Sequence, residues 1–134
     1  MWEAYGLENE DFLWAGIPFL GGIGGFQKAP CGVISAAALA VGLRHRCPLS
    51  DEERSKQARH AIRTRSWQLV AEFEQEFGAT TCLDLIGMDF SQPGEYKKFL
   101  DSGIWKDKCQ RYVAFMIEKL YGFEDGKGLF VQAP

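Results

Sequence analysis

The feature of this 134-residue chain that most limits its fold is the glycine run from Gly21 to Gly25, with sequence GGIGG. Glycine destabilises the interior of a helix or strand, and it readily adopts backbone angles that other residues avoid. The run therefore predicts a loop with unusual backbone angles or a close backbone approach. It separates a first helix, capped at Asn9, from a second helix, which we expect to begin at Pro30 because proline suits the first helical turn.

Apolar residues recur at helical spacing over most of the chain, and no segment alternates apolar and polar residues as a strand would. Ser50 and Glu53 match a capping box, which predicts that a long helix begins after Ser50 and stops at Gly78. Thr81 is suited to cap a short helix that ends at Gly87. We predict an all-α fold, a compact bundle of about five to six helices with the glycine-rich loop before a buried central helix. The last predicted helix places six residues on one face: Trp105, Cys109, Tyr112, Val113, Met116 and Leu120.

Composition favours one domain over residues 1–134, with tails at 1–8 and 122–134, because 46% hydrophobic residues can form a full core. The net charge of −3 argues against a general nucleic-acid binder. The start of the chain lacks the basic and apolar segments of a signal peptide. The longest uncharged stretch, residues 29–43, would span ~22 Å as a helix, less than the ~30 Å bilayer core. We expect a cytoplasmic protein with no membrane span and no specific nucleic-acid partner.

The four cysteines are the residues that most suggest chemistry, and none belongs to a CxxC pair. Cys31 and Cys82 are predicted at helix starts, where the helix dipole lowers a thiol pKa and favours the nucleophilic thiolate. Cys109 lies on the predicted buried face of the last helix. Cys47 has cationic neighbours that would activate a thiol, and we interpret it as an incidental exposed cysteine. Free cysteines are also common as small buried hydrophobes, so a packing role remains open for each of them.

The order of these motifs resembles the C-GCAxxG-C-C family of proposed redox-active proteins. The resemblance covers roughly residues 19–120, and its most specific parts are the segments 21–42 and 77–87. Cys31 corresponds to the cysteine beside the central glycine, Cys82 to the third motif cysteine and Cys109 to the last. The family's first cysteine has no counterpart upstream of Gly21.

The resemblance implies thiol redox chemistry at Cys31, Cys82 and Cys109, which we expect to converge in space. The same three residues are candidate metal ligands. Cysteines contributed by three helices could hold an iron–sulfur cluster or zinc if a histidine, a partner or a second subunit supplied the fourth ligand. The chain has no CxxCH sequence, which excludes covalent haem of the c type on motif grounds.

Two functions remain open from the sequence. The first is a redox-active protein that uses cysteine thiols, with or without a metal, and the second is a non-catalytic helical interaction module with structural cysteines. The chain contains no Walker, HExxH or GxSxG sequence, so no enzyme class is assigned. We expect a homo-oligomer or a protein redox partner, because Leu13, Ile17 and Leu20 would form an uncovered apolar surface.

Overall fold

The computed structural model describes residues 9–123, which form a helical bundle. This confirms the predicted all-α fold. Pro30 and Thr81 form one isolated antiparallel bridge, and the described residues contain no strand. The described residues contain seven α-helices and one 3₁₀ helix: α1 (Asp11–Gly16), the 3₁₀ helix (Ile17–Phe19), α2 (Gly32–Arg44), α3 (Glu52–Phe77), α4 (Cys82–Ile86), α5 (Glu95–Ser102), α6 (Ile104–Asp107) and α7 (Cys109–Gly122).

The core forms where α2 packs against α3 and α7. Phe73 of α3 is completely buried, and its ring lies 5.5 Å from that of Tyr112 in an edge-to-face arrangement. Ala37 and Ala40 are the buried alanines of α2, and their small side chains allow its neighbours to approach closely. Full burial of a side chain such as Phe73 contributes about 1.5–3 kcal/mol to stability.

The beginnings of two helices differ from the predictions. Helix α2 begins at Gly32, and Cys31 is its N-cap with extended backbone angles, so the proline lies outside the helix. Asp51 rather than Ser50 caps α3, because its Oδ1 accepts a hydrogen bond from the Arg54 backbone N–H at 3.1 Å. The prediction for α4 is confirmed, since Thr81 caps it and Gly87 ends it in the left-handed conformation.

The predicted last helix consists of two helices, α6 and α7, which meet at Lys108; its backbone angles (φ −91°, ψ −63°) are close to helical, and its N–H donates to the Ile104 carbonyl at 2.9 Å. The Lys108 ammonium donates hydrogen bonds to the carbonyls of Leu85, at 2.8 Å, and Ile86, at 3.3 Å. A cation is favourable there because the last carbonyls of a helix are unpaired and carry partial negative charge. Cys109 is therefore the first residue of α7. Val113, predicted on the buried face, is 42% exposed.

The predicted tails fall almost entirely outside the described residues. Residues 1–8 and 124–134 are not described, and α7 continues to Gly122, the first residue of the predicted C-terminal tail. Within residues 9–123, no helix is both long and apolar enough to cross a membrane.

Candidate thiol site

The loop between the 3₁₀ helix and α2 has the unusual backbone that its glycines predicted. All four glycines of the run have positive φ, and so do Ile23 (φ 65°) and Gln27 (φ 64°). A β-branched residue rarely adopts this conformation, so Ile23 marks a strained position. Gly22 is required by packing as well, since a Cβ there would lie 2.7 Å from the carbonyl oxygen of Ala29. The loop is thus tightly folded onto the segment that leads to Cys31.

Gly32, next to Cys31, allows two pieces of backbone to touch. A Cβ at Gly32 would lie 2.6 Å from the carbonyl oxygen of Phe19 and 3.2 Å from its carbon. The end of the 3₁₀ helix therefore rests directly on the first turn of α2. A side chain at this position would push the loop away from the cysteine.

A short antiparallel contact brings Cys31 towards Cys82. Pro30 pairs with Thr81, and the Cys31 N–H donates a 2.7 Å hydrogen bond to the Thr80 carbonyl. Each cysteine directly follows a residue of the bridge. Because side chains alternate along extended backbone, both cysteines lie on the same side of this contact. The bridge thus joins the starts of α2 and α4 although 51 positions separate them along the chain.

Burial controls the ionisation of the motif thiols. Cys31 and Cys82 are each 8% exposed, and Cys109 is half-buried. Burial raises the pKa of the Cys31 thiol, and hydrogen bonds from the backbone N–H groups of Val33 and Ile34 offset only part of this rise. The prediction of a lowered pKa at this helix start is therefore wrong in direction, because desolvation of the thiolate outweighs the helix terminus.

The three motif thiols influence one another. Burial raises the pKa of Cys82, and the negative charge of an ionised Cys31 raises it further. The pKa of Cys109 rises to about 11, first through burial and then through the charges of Cys31 and Cys82. Tyr112 responds in the same way, since burial followed by the charges of the cysteines raises its pKa. Ionisation of Cys31 therefore disfavours ionisation of the other two thiols, and the spatial convergence of the three cysteines stays a prediction.

Gln27 is a site residue that the sequence interpretation missed. Its side chain is 2% exposed, and its Nε2 donates to the Met88 carbonyl at 2.9 Å while its Oε1 accepts from the Phe90 N–H at 2.6 Å. A hydrogen bond from this side chain to Cys82 lowers the pKa of that thiol, against the larger effect of burial. Its backbone carbonyl accepts from the Leu83 N–H at 3.0 Å. Gln27 thus joins the glycine loop to α4, and its position two residues after the glycine run was the only signal of this role.

The chain matches a protein family over residues 1–123, and the description of that family is "Putative redox-active protein (C_GCAxxG_C_C)". The chain belongs to this family. The comparison with curated proteins found no match, and neither did the comparison with solved structures. Membership rests on nearly all of the described part of the chain, including the glycine loop and the three motif cysteines.

The donor set does not fit the expected metal or iron–sulfur cluster. Across residues 9–123, no group of three or more His, Cys, Asp or Glu side chains is arranged to hold a metal ion. An iron–sulfur cluster is typically held by four thiolates, and the motif supplies three cysteines here. We therefore derive no chemical step through a metal.

Cys47 lies away from the other three cysteines. It follows α2, whereas Cys31 precedes it, and the 13 residues of that helix span about 20 Å at 1.5 Å each. Cys47 is half-buried in the turn towards α3 and is a free thiol. It belongs to a different part of the surface, where arginine side chains surround it.

Proposed function

We propose that this protein is a thiol redox protein in which Cys31 forms a reversible disulfide with a neighbouring motif cysteine, Cys82 or Cys109. The observation that carries the proposal is the position of Cys31 in the cluster. The bridge between Pro30 and Thr81 joins the residue before Cys31 to the residue before Cys82, and the charge of an ionised Cys31 raises the pKa of both Cys82 and Cys109. A thiol that influences two neighbouring thiols is suited to be the cysteine that forms a disulfide with either of them. The family description supports the same chemistry.

The proposed reaction is thiol–disulfide exchange with the disulfide of a partner protein. The Cys31 thiolate attacks one partner sulfur, a mixed disulfide forms, and the other partner sulfur leaves as a thiol after it takes up a proton. The second motif cysteine then attacks Cys31 Sγ and releases the remaining partner sulfur. The partner disulfide gains two electrons and two protons, and the motif pair loses the same number.

The burial of the cluster suits a protein partner better than a small oxidant. The thiolate fraction at neutral pH is small because burial raises the pKa of all three thiols. A docked partner is needed to bring its disulfide to a sulfur that solvent barely reaches. We further propose the cytoplasm as the location, since a reducing compartment would regenerate the dithiol form.

The experiment is disulfide mapping in a Cys47→Ser background, which removes the one cysteine outside the motif. The purified protein is oxidised by incubation with a protein that carries an exposed disulfide, the free thiols are blocked, and the protein is digested for mass spectrometry. The expected product is a cross-linked peptide pair that contains Cys31. Cys31→Ser should abolish the intramolecular disulfide, and the pair of variants Cys82→Ser and Cys109→Ser identifies the second cysteine. A disulfide between Cys82 and Cys109 alone, or none at all, would contradict the proposal.

We propose self-association as a second function, because exposed apolar side chains lie beside the thiol site. Leu13, Ile17 and Leu20 are 50%, 55% and 73% exposed, and soluble proteins usually cover a contiguous apolar surface of this kind with a partner. This surface continues into the glycine loop and rests on Gly32 through Phe19. A second copy that covers it would therefore sit close to Cys31. Further exposed apolar residues in the same region are Phe12, Trp14, Ile23 and Phe26.

Light scattering on paired variants tests this association. Leu20→Lys should convert a dimer into a monomer, because a buried unpaired charge is costly at an interface. Leu49→Lys is the matched control, since Leu49 is 83% exposed but lies in the turn before α3, at the opposite end of α2. A wild-type protein that remains monomeric at tens of micromolar would contradict the proposal.

A further inference from the structure

An open cleft lies at the corner where α2 turns into α3, and it is separate from the motif thiols. Its volume is about 330 Å³. The residues after α2 form one wall and the first turns of α3 form the other. No carboxylate is among the lining residues, which are Arg44, His45, Arg46, Cys47, Arg54, Gln57, Ala58 and Ala61.

Three guanidinium groups make this cleft suitable for an anion. A guanidinium has five N–H donors in a planar fork, which matches the two oxygens of a carboxylate. Arg46 uses Nη1 for a 2.8 Å hydrogen bond to the Leu43 carbonyl, and this bond orients the group without using its other donors. Arg54 has a long contact of 3.8 Å between its Nε and Asp51 Oδ2. Both side chains keep donors for a ligand, and the nearby carboxylate of Asp51 neutralises only part of the positive charge.

His45 adds a second observation at the same wall. Its Nε2 is buried and has no hydrogen-bond partner within residues 9–123. Burial lowers the pKa of His45, and the charges of Arg65 and Arg44 lower it further, so the ring is neutral at pH 7. The neutral ring adds no charge of its own, so the arginines supply the positive charge that lines the cleft.

We propose that this cleft binds small disulfides that carry carboxylate groups, and that Cys47 forms a mixed disulfide with them. The arginines hold the carboxylate, and the half-buried Cys47 thiol lies in the same wall. The Cys47 thiol first releases its proton. Its Sγ then attacks one sulfur of the disulfide, the new Cys47–sulfur bond forms, and the original sulfur–sulfur bond breaks. The other half leaves with the electron pair and takes up a proton to become a thiol. This chemistry is independent of Cys31.

Two disulfide probes that differ in charge test the proposal. Dithiobis-nitrobenzoate carries a carboxylate on each half, and dithiodipyridine is neutral. The rate at Cys47 is obtained by subtracting the rate of Cys47→Ser, and peptide mapping confirms the modified residue. Arg46→Gln and Arg54→Gln should each slow the anionic probe about threefold or more, as expected for the loss of one nearby charge, and should leave the neutral probe unchanged. Inorganic phosphate should slow only the anionic probe.

The matched control is Arg59→Gln, because Arg59 is exposed on α3, carries the same charge and does not line the cleft. Circular dichroism confirms that each variant is folded. If Arg59→Gln slows the anionic probe as much as the cleft variants do, the effect is one of net charge and the proposal is wrong. Equal effects on both probes, or no mixed disulfide at Cys47, would also overturn it.

Discussion

The two ends of helix α2 each carry a cysteine, and their surroundings are opposite. At the N-terminal end, Cys31 is buried beneath a glycine loop, and loss of hydration raises its pKa. At the C-terminal end, Cys47 is half-buried in an open cleft among arginines. The sequence alone predicted the opposite effect at the helix start, namely a lowered pKa and a more reactive thiol at Cys31. The comparison shows that burial can dominate the field of a helix terminus when a thiolate would be taken out of water.

The largest effect at the N-terminal end of α2 is expected when the Gln27 amide is removed. Gln27→Leu should lower the free energy of unfolding by about 2–4 kcal/mol, because the Met88 carbonyl and the Phe90 N–H lose their partner inside the protein. The pKa of Cys82 should rise further, since a hydrogen bond from Gln27 lowers it. Urea unfolding measures the first effect, and alkylation of Cys82 across pH measures the second.

The control is an exposed glutamine in the first turns of α3. Gln57→Leu removes an exposed amide whose hydrogen bond to the Glu53 carboxylate is 3.1 Å long, and it should change stability by less than about 0.5 kcal/mol. Equal losses in the two variants would show that Gln27 does not have the structural role we assign to it.

The second prediction compares two glycines of the same helix. Gly32→Ala should destabilise the protein by about 1–3 kcal/mol, because the new Cβ would lie 2.6 Å from the Phe19 carbonyl oxygen and must displace the backbone. Gly42→Ala should instead stabilise it by about 0.5–1 kcal/mol, because nothing lies within 4 Å of that Cβ and alanine is the better helix former. Thermal unfolding of both variants gives the sign. Stabilisation by Gly32→Ala would mean that the loop does not rest on α2.

The third prediction concerns the relative reactivity of the thiols. At neutral pH, iodoacetamide should label Cys31 more slowly than Cys47, because burial raises the pKa of the Cys31 thiol and also blocks access of the reagent. The Cys109 rate should keep rising with pH and reach half of its maximum at about pH 11, where its thiol is half ionised. Quantitative peptide mapping after short labelling measures both. A Cys109 rate that levels off below pH 9 would refute the burial argument.

The smallest effect is expected where Lys108 reaches the end of α4. Lys108→Met should lower stability by about 1 kcal/mol, because the carbonyls of Leu85 and Ile86 lose a charged donor. It should also raise the pKa of Cys109 slightly, since the charge of Lys108 lowers it. Lys106→Met is the control, because the Lys106 side chain is exposed and contacts only the neighbouring Trp105 ring among the interactions described. Urea unfolding should separate the two variants, and indistinguishable curves would argue against the Lys108 contact.

Local chemistry explains which predictions were confirmed. Thr81 and Gly87 bound a helix through their own side chain and backbone, so their roles were readable from the chain alone. The loop at the glycine run was readable as well, because glycine itself destabilises the interior of a helix or strand. The contact of Lys108 with the end of α4 was not readable from the sequence, because its partners, the carbonyls of Leu85 and Ile86, lie 23 and 22 residues away. Gln27 was missed because a buried amide is recognised only by its distant partners.

The amino-acid sequence by itself determined the helical class, the loop before α2 and the three motif cysteines that place the chain in its family. These depend on spacing, on glycine and on residue type, which act over a few positions. Only the tertiary structure decided that the motif thiols are held protonated and that the arginines around Cys47 face a common cleft. Both outcomes depend on how segments that are far apart in the sequence pack together. Packing removes water from the motif thiols, and it places the arginines at the corner between α2 and α3.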